Sequence, residues 1–345
     1  MTHFYDRRRF LQTLSTAGAG VALSTVLPFG AKAFAGADVI KVGIIGADSS
    51  HAVAFTKSFH NPNPAPGLEG FKVVAVLPEA SPDIPNNVKR LPGFVDQLKQ
   101  LGVEVVDSMD ALLSRVDAVL VESNDGRPHY RQALPALKAG KRVFIDKPLA
   151  ASLAEGMAIF EAARQHNTAV FSCSSLRYME TAQQVAKGSV GKVFGADTYS
   201  PCALEKTHPD IFWYGIHGVE TLYTVMGPGC KSVSRSHTDN TDVVVGTWED
   251  GRIGSFRGNR TGKSEYGGTV YGEKGNAVLG PFKGYEPLVI QIAEFFRTGK
   301  SPVAESETLE ILAFMEAADE SKRLGGKPVE LKAMFDRAKK HKKKK

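Results

Sequence analysis

The stretch Leu137-Lys138-Ala139-Gly140-Lys141-Arg142-Val143-Phe144-Ile145-Asp146-Lys147-Pro148-Leu149-Ala150 decides the fold. Apolar residues recur at helical spacing from about His129 to Lys138. Gly140 stands where a helix C-terminus takes a glycine. Arg142 to Asp146 then reads as a short apolar strand that ends on a charged pair, Asp146-Lys147, ahead of Pro148. A helix passing directly into a short apolar strand is half of a β-α-β unit.

The same alternation runs outward from there. Upstream lie an apolar strand from Val39 to Gly46, a helical stretch from His51 to Phe59, and strands at Phe71–Leu77, Val103–Val106 and Asp117–Val121. Downstream, Ser152 with Glu155 three residues on forms a capping box for a helix to about Gln165. Ala169–Ser172 is a sixth strand. Short apolar strands alternating with helices predict a doubly wound parallel sheet covered on both faces.

The second half changes character. Val193–Ser200, Val243–Glu249, Arg252–Asn259 and Gly268–Gly272 read as longer strands, and Asp250-Gly251 is a hairpin signal because glycine supplies positive φ cheaply. One helix is expected from about Pro209 to Met226, and helices near 286–297 and 305–324 close the chain. The expected class is α/β: a doubly wound domain over 36–150, then a 151–330 α/β domain on a mostly antiparallel, open-faced sheet. In open α/β sheets ligands sit beyond the carboxyl ends of the strands, which places the site where those ends face the second domain.

With 345 residues the chain has room for two domains, and 42% hydrophobic with 23% charged residues excludes a disordered or polytopic membrane chain. The net charge of +6 sits at the ends. Arg7, Arg8, Arg9 and Lys32 oppose only Asp6 in residues 1–35, six lysines occupy 339–345, and the body between is mildly acidic. That distribution argues against a nucleic-acid-binding core. Cys173, Cys202 and Cys230 are odd in number and widely spaced, which suggests buried packing and no disulfide framework.

Asp6-Arg7-Arg8-Arg9-Phe10-Leu11-Gln12, followed by a weakly apolar run to Phe29, resembles a twin-arginine translocation signal. Ala33-Phe34-Ala35 is an A-x-A cleavage site, with Ala31-Lys32-Ala33 as its competitor. Residues 1–35 are therefore expected to route the protein to the periplasm or another extracytoplasmic space, with no stable membrane insertion after cleavage. Residues 331–345 are expected to form a basic disordered tail.

Several patches occur in one order: Val42-Gly43-Ile44-Ile45-Gly46; Pro128-His129; Ala136-Leu137-Lys138-Ala139-Gly140-Lys141; Val143 to Ala150; Gly191-Lys192-Val193; Gly215-Ile216-His217; and Tyr271-Gly272-Glu273-Lys274-Gly275. This series resembles the Gfo/Idh/MocA oxidoreductases, the family of glucose–fructose oxidoreductase and inositol dehydrogenase, over roughly residues 38–325. The resemblance implies a Rossmann domain that binds NAD or NADP. It also implies a second domain that takes sugar or polyol substrates, and assembly into a homo-oligomer through the open sheet face.

By the same resemblance, Lys147 lies near substrate and nicotinamide, with Asp146 in place of the usual glutamate. His217 supplies the general acid/base, with Trp213 where an aspartate is usual. The chemistry suits both: histidine titrates nearest to neutral pH, and a lysine at a strand end stabilises a developing alkoxide. The cofactor side is expected to draw on Gly43, Gly46, Asp48, Ser49, Ser50, His51, Glu79, Asn124, His129 and Asp146. The substrate side is expected to draw on Arg177, Tyr178, His208 and Tyr214. His208, Asp210 and His217 carry zinc-ligand atoms, but their spacing fits no tight motif and Asp210 reads equally as a helix cap, so no metal is expected.

The nucleotide loop departs from G-x-G-x-x-G. From Gly46 it reads Gly46-Ala47-Asp48-Ser49-Ser50-His51, with Asp48 at the second glycine and His51 at the third. A carboxylate aimed at a pyrophosphate is repelled by it, so either Ser49 and Ser50 serve the helix N-terminus or Asp48 turns aside to cap it. Glu79 follows the second strand as a displaced acceptor for ribose hydroxyls. The leading reading is an exported NAD(P)-dependent oxidoreductase acting on a sugar, polyol or glycoside with a tightly held, recycled cofactor. The competitors are a cofactor-free carbohydrate-binding or regulatory protein on the same fold, and a cofactor-independent lyase.

Overall fold

A computed structural model describes residues 39–263 and 265–342. The expected export signal lies outside the described residues. No helix of the described residues is long and apolar enough to cross a membrane.

The first half alternates as its apolar runs dictate: β1 (Ile40–Gly46), α1 (Ser50–Phe59), β2 (Phe71–Pro78), α2 (Pro85–Gln100), β3 (Glu104–Val105), α3 (Met109–Leu113), β4 (Ala118–Val121), α4 (His129–Lys138), β5 (Arg142–Ile145), α5 (Leu153–Gln165) and β6 (Val170–Phe171). The strands form one parallel sheet in the order β3-β2-β1-β4-β5-β6, the Rossmann order. β4 and β5 are buried at every position, as central parallel strands covered on both faces must be. Helix ends follow local chemistry. Ser152 Oγ accepts from Glu155 N at 3.2 Å, and Gly140 takes φ +71° just past α4.

After a 3-10 turn at Ser175–Tyr178 come α6 (Glu180–Ala186), β7 (Val193–Pro201), α7 (Asp210–Trp213), α8 (Ile216–Met226), β8 (Cys230–His237), β9 (Thr241–Trp248), β10 (Ile253–Asn259), β11 (Gly267–Gly272), β12 (Gly275–Leu279), α9 (Glu286–Thr298), α10 (Glu305–Arg323), β13 (Val329–Glu330) and α11 (Leu331–Lys342). Seven strands order as β12-β11-β7-β10-β9-β8-β13, antiparallel throughout except for the parallel β7–β10 pair. α8 is buried along its whole length; its Gly218 lies so close to Phe256 of β10 that a Cβ would clash. The opposite face leaves Tyr199, Ile253, Tyr271 and Val278 exposed. The three cysteines are free and buried.

Three expectations need correction. The helix expected over 209–226 is two helices: Tyr214 leaves helical geometry (φ −136°, ψ −26°), so α8 starts afresh after Gly215 and His217 lands in its first turn. The nucleotide-binding layer does not end at 150. β6 completes the sheet, and α9 returns from the second half to pack on it, Phe295 meeting Phe171 with ring centres 4.8 Å apart. Arg297 of α9 also donates to the carbonyls of Gly67 and Glu69, both at 2.6 Å. The stretch expected to be a disordered tail from 331 is helical to Lys342, because Leu331, Met334 and Ala338 give it an apolar stripe that is buried.

Candidate active site

The carboxyl ends of β1, β4 and β5 meet the first turn of α8, and the polar side chains gathered there are almost all buried. Lys147 and His217 are 4% and 5% exposed, so neither is a surface residue. Lys147 Nζ lies 3.5 Å from Asn124 Oδ1, its only recorded partner among the described residues. His217 Nδ1 lies 2.7 Å from Ser174 Oγ, which fixes the ring. Tyr214 packs edge-on to that ring at 5.0 Å and Tyr266 at 5.8 Å, and the two phenol oxygens are 3.2 Å apart. Burial, and then the nearby charges of Lys147 and His51, push His217 well below its ordinary value. A neutral imidazole at neutral pH is what a general base requires.

Asp146 sits at the end of β5, where its Oδ1 accepts from Lys147 N at 2.8 Å and its Oδ2 lies 2.8 Å from His51 Nδ1. Burial alone would raise this carboxyl, but His51 and Lys147 hold it well below the usual range. His51 stacks on Phe55 and meets Tyr285 edge-on, so the side chain at the third-glycine position turns toward the strand ends. Ser49 is the N-cap of α1, its Oγ accepting from His51 N at 3.3 Å, and Ser50 opens the helix.

Asp48 does not cap α1. Its Oδ1 accepts from Asn124 N at 2.8 Å, tying the β1–α1 loop to the β4–α4 loop, while Oδ2 has no partner. Burial pushes its carboxyl up to about 6. Gly46 (φ +105°) is required by close approach, since a Cβ would stand 2.4 Å from Ser123 N. Glu79, at the exit of β2, accepts from Arg131 at 2.6 Å and Gln132 at 2.9 Å; against its partial burial, these donors hold its carboxyl below the ordinary value.

Several expected contacts serve the scaffold. Gly43 lies within β1, where a Cβ would meet Val116 and Leu112. Both nitrogens of His129 face main-chain carbonyls: Nε2 that of Ser123 at 2.8 Å, Nδ1 those of Pro148 and Leu149 at 3.0 and 3.2 Å. It therefore staples the two loops that carry Asn124 and Lys147. Arg177 is an internal ion pair with Glu220 of α8 and Glu307 of α10, which occupies its guanidinium. Tyr178 packs among buried apolar residues. His208 lies 2.8 Å from Asp125, and its ring meets Trp213 at a tilt with ring centres 4.7 Å apart, a contact that the aromatic residue at 213 supplies. Asp210 pairs with Arg235 and Lys322, so His208, Asp210 and His217 form no common ligand set.

Sequence reasoning missed Glu122, Ser174, Tyr266 and Tyr285. Glu122 follows the apolar run of β4 as Asp146 follows that of β5, and an acid at a strand exit was a usable signal. It is fully buried, and neither carboxylate oxygen has a hydrogen-bond partner. Burial and then the Asp146 charge raise its carboxyl well above the ordinary value.

A dinucleotide fits the residues present. The tight turn at Gly46 and the Ser49-capped N-terminus of α1 persist, Glu79 stands at the end of β2, and Oδ1 of Asp48 is engaged by Asn124 N.

A family model described as an oxidoreductase family with an NAD-binding Rossmann fold, GFO_IDH_MocA, matches residues 40–173. No curated protein matches the chain. Among solved structures, a putative NADPH-dependent oxidoreductase from Desulfitobacterium hafniense is similar with a TM-score of 0.69 at 17% identity, over 86% of this chain and 99% of that one. Myo-inositol 2-dehydrogenase from Lactobacillus plantarum is similar with a TM-score of 0.68 at 17% identity, over 84% and 99%. Scyllo-inositol dehydrogenase from Lactobacillus casei, with bound NAD(H) and scyllo-inositol, gives 0.65 at 17%, over 85% and 99%. At these identities the likeness is one of fold.

Proposed function

We propose, for a chain whose residues 40–173 match the model of the Gfo/Idh/MocA oxidoreductases, that it oxidises a secondary alcohol of a sugar, polyol or glycoside with NAD or NADP. The observation that carries this reading is the pairing of Lys147 and a depressed, Ser174-oriented His217 in one buried cluster at the strand ends. Gly46, Ser49, Ser50, Glu79 and Asn124 are the residues that would hold the dinucleotide. The chemistry a nicotinamide supplies when bound is acceptance of hydride from the carbinol carbon.

The chain's own residues handle the proton. His217 takes the hydroxyl proton at Nε2, for which no hydrogen bond is recorded among the described residues, while Ser174 holds Nδ1. Lys147 donates to the oxygen as it becomes an alkoxide, its Nζ held by the long contact to Asn124. Burial makes both interactions stronger than they would be in water. Tyr214 and Tyr266 wall the histidine and offer hydroxyls to a polyol.

Export through the twin-arginine route is part of the proposal and rests on the Arg7-Arg8-Arg9-Phe10-Leu11-Gln12 pattern and its cleavage site. An exported enzyme without access to a free nicotinamide pool retains its cofactor, which favours coupled oxidation and reduction of two sugars, epimerisation, or redox-assisted glycoside cleavage. The exposed face bearing Tyr199, Ile253, Tyr271 and Val278 supports pairing with a second copy of the chain.

Mass spectrometry of the dialysed native protein, with calorimetry against NAD, NADP, myo-inositol, scyllo-inositol and glucose, tests the reading. Co-purified or titrated dinucleotide supports it. Sugar binding with no dinucleotide overturns it in favour of a carbohydrate-binding protein on this fold.

A further inference from the structure

β4 and β5 are neighbours in the parallel sheet, and each delivers a carboxylate at its exit, Glu122 and Asp146. The first turn of α1 adds His51. A ring nitrogen of His51 and one oxygen from each acid all lie within 4.8 Å of one another, and all three residues are buried. The roles proposed for His217 and Lys147 toward the substrate hydroxyl make no use of Glu122.

Glu122 is the telling member. Its carboxyl is fully buried and neither oxygen has a hydrogen-bond partner. Burial of an unpaired polar group costs several kcal/mol by transfer measurements. A proton does not resolve this, because a neutral acid would bury an O–H with no acceptor and a C=O with no donor. Lys147 brings positive charge nearby, yet among the described residues neither it nor His51 hydrogen-bonds Glu122; their contacts go to Asp146 and Asn124.

A divalent cation meets every one of these conditions. It takes carboxylate oxygen and imidazole nitrogen together, and it offsets the charge of two carboxylates buried side by side. Zinc bonds of about 2.0–2.2 Å need only small side-chain movements in a triangle this size, with the His51–Asp146 contact giving way to bonds to the ion. Three protein ligands leave coordination positions open, the arrangement of reactive sites rather than structural ones. We infer that His51, Glu122 and Asp146 form a buried site for one divalent first-row cation, open to an oxygen ligand such as a substrate hydroxyl. The inference departs from the expectation of no metal and does not depend on dinucleotide binding.

The test uses the full chain, stripped with chelator and titrated calorimetrically with Zn2+ and separately with Mn2+, and loaded with Co2+ for visible spectra. One equivalent is expected to bind, with Co2+ d–d bands that report the imidazole ligand. Glu122→Gln is expected to weaken binding at least about 100-fold, and His51→Gln to remove the bands. Wild-type protein that binds no stoichiometric cation overturns the inference whether or not the variants fold. So does a folded Glu122→Gln protein with unchanged affinity. Dinucleotide content is measured separately by mass spectrometry, so loss of the metal site and loss of the oxidoreductase reading remain distinguishable.

Discussion

Buried charge is treated in opposite ways in the two halves of the molecule. In the second half Arg235, 2% exposed, is surrounded by Asp210, Asp242 and Asp319, with Arg260 and Lys322 closing the network. Arg177 likewise sits between Glu220 and Glu307. At the strand ends of the first half, Asp48 has one unpartnered oxygen and Glu122 two. Paired ion networks, in which only Asp319 Oδ2 is left without a partner among the described residues, hold helices against a sheet. Unsatisfied buried carboxylates cost stability, and a fold retains them where something else is meant to bind.

The contrast is broken most forcefully at Arg235. Arg235→Ala leaves Asp319 without its ion-pair partner and Asp210 and Asp242 with only Lys322 and Arg260, and chemical denaturation should show a loss of about 3–5 kcal/mol. A loss below about 1 kcal/mol would mean that the network is ornamental. Within the strand-end cluster, His217→Asn should lower kcat by roughly 100- to 10,000-fold while the melting temperature stays within a few degrees. The pH profile sharpens the same point. His217 is depressed and works as a neutral base, so kcat/KM should persist as pH falls through 6.5, with its acid limb below that value.

Glu122→Met should behave unlike either. With metal removed, it replaces an unpartnered buried carboxyl by an apolar side chain of similar length and should stabilise the fold by about 1–2 kcal/mol, the reverse of Arg235→Ala. Equal destabilisation by both would erase the distinction between the halves. The smallest effect belongs to Asp48. Its folded value of about 6 exceeds the ordinary 3.8, so its contribution is full below 3.8 and is lost as pH rises through about 6. Asp48→Asn does not titrate and should remove that decline, leaving the variant on the order of 1 kcal/mol more stable than wild type at pH 7.

Two members of the candidate cluster were legible in the chain. Asp146-Lys147 closes an apolar strand, and His217 follows a glycine in an ordered series of patches, so both could be singled out before any contact was known. Arg177 was misread because its position after β6 suggests substrate, whereas its partners come from α8 and α10, which are remote in sequence. Asp48 carried a different ambiguity. Its identity announces a departure from the glycine pattern, but only the approach of the β4–α4 loop turns its carboxylate to Asn124 N.

Local periodicity, caps and glycines act over a few residues, so the sequence by itself determined the alternation of elements, the parallel first sheet, the hairpin at Gly251 and the helix ends at Gly140 and Ser152. What needed the tertiary structure is where separate elements converge. α9 crosses back onto the first sheet, the tail helix finds a groove for its apolar stripe, and His51, Glu122 and Asp146 meet from three different elements. Burial and charge compensation are sums over neighbours distant along the chain. Whether an acid becomes a salt-bridge partner, as Asp242 does, or an unpaired carboxylate, as Glu122 does, is therefore decided only when the chain is folded.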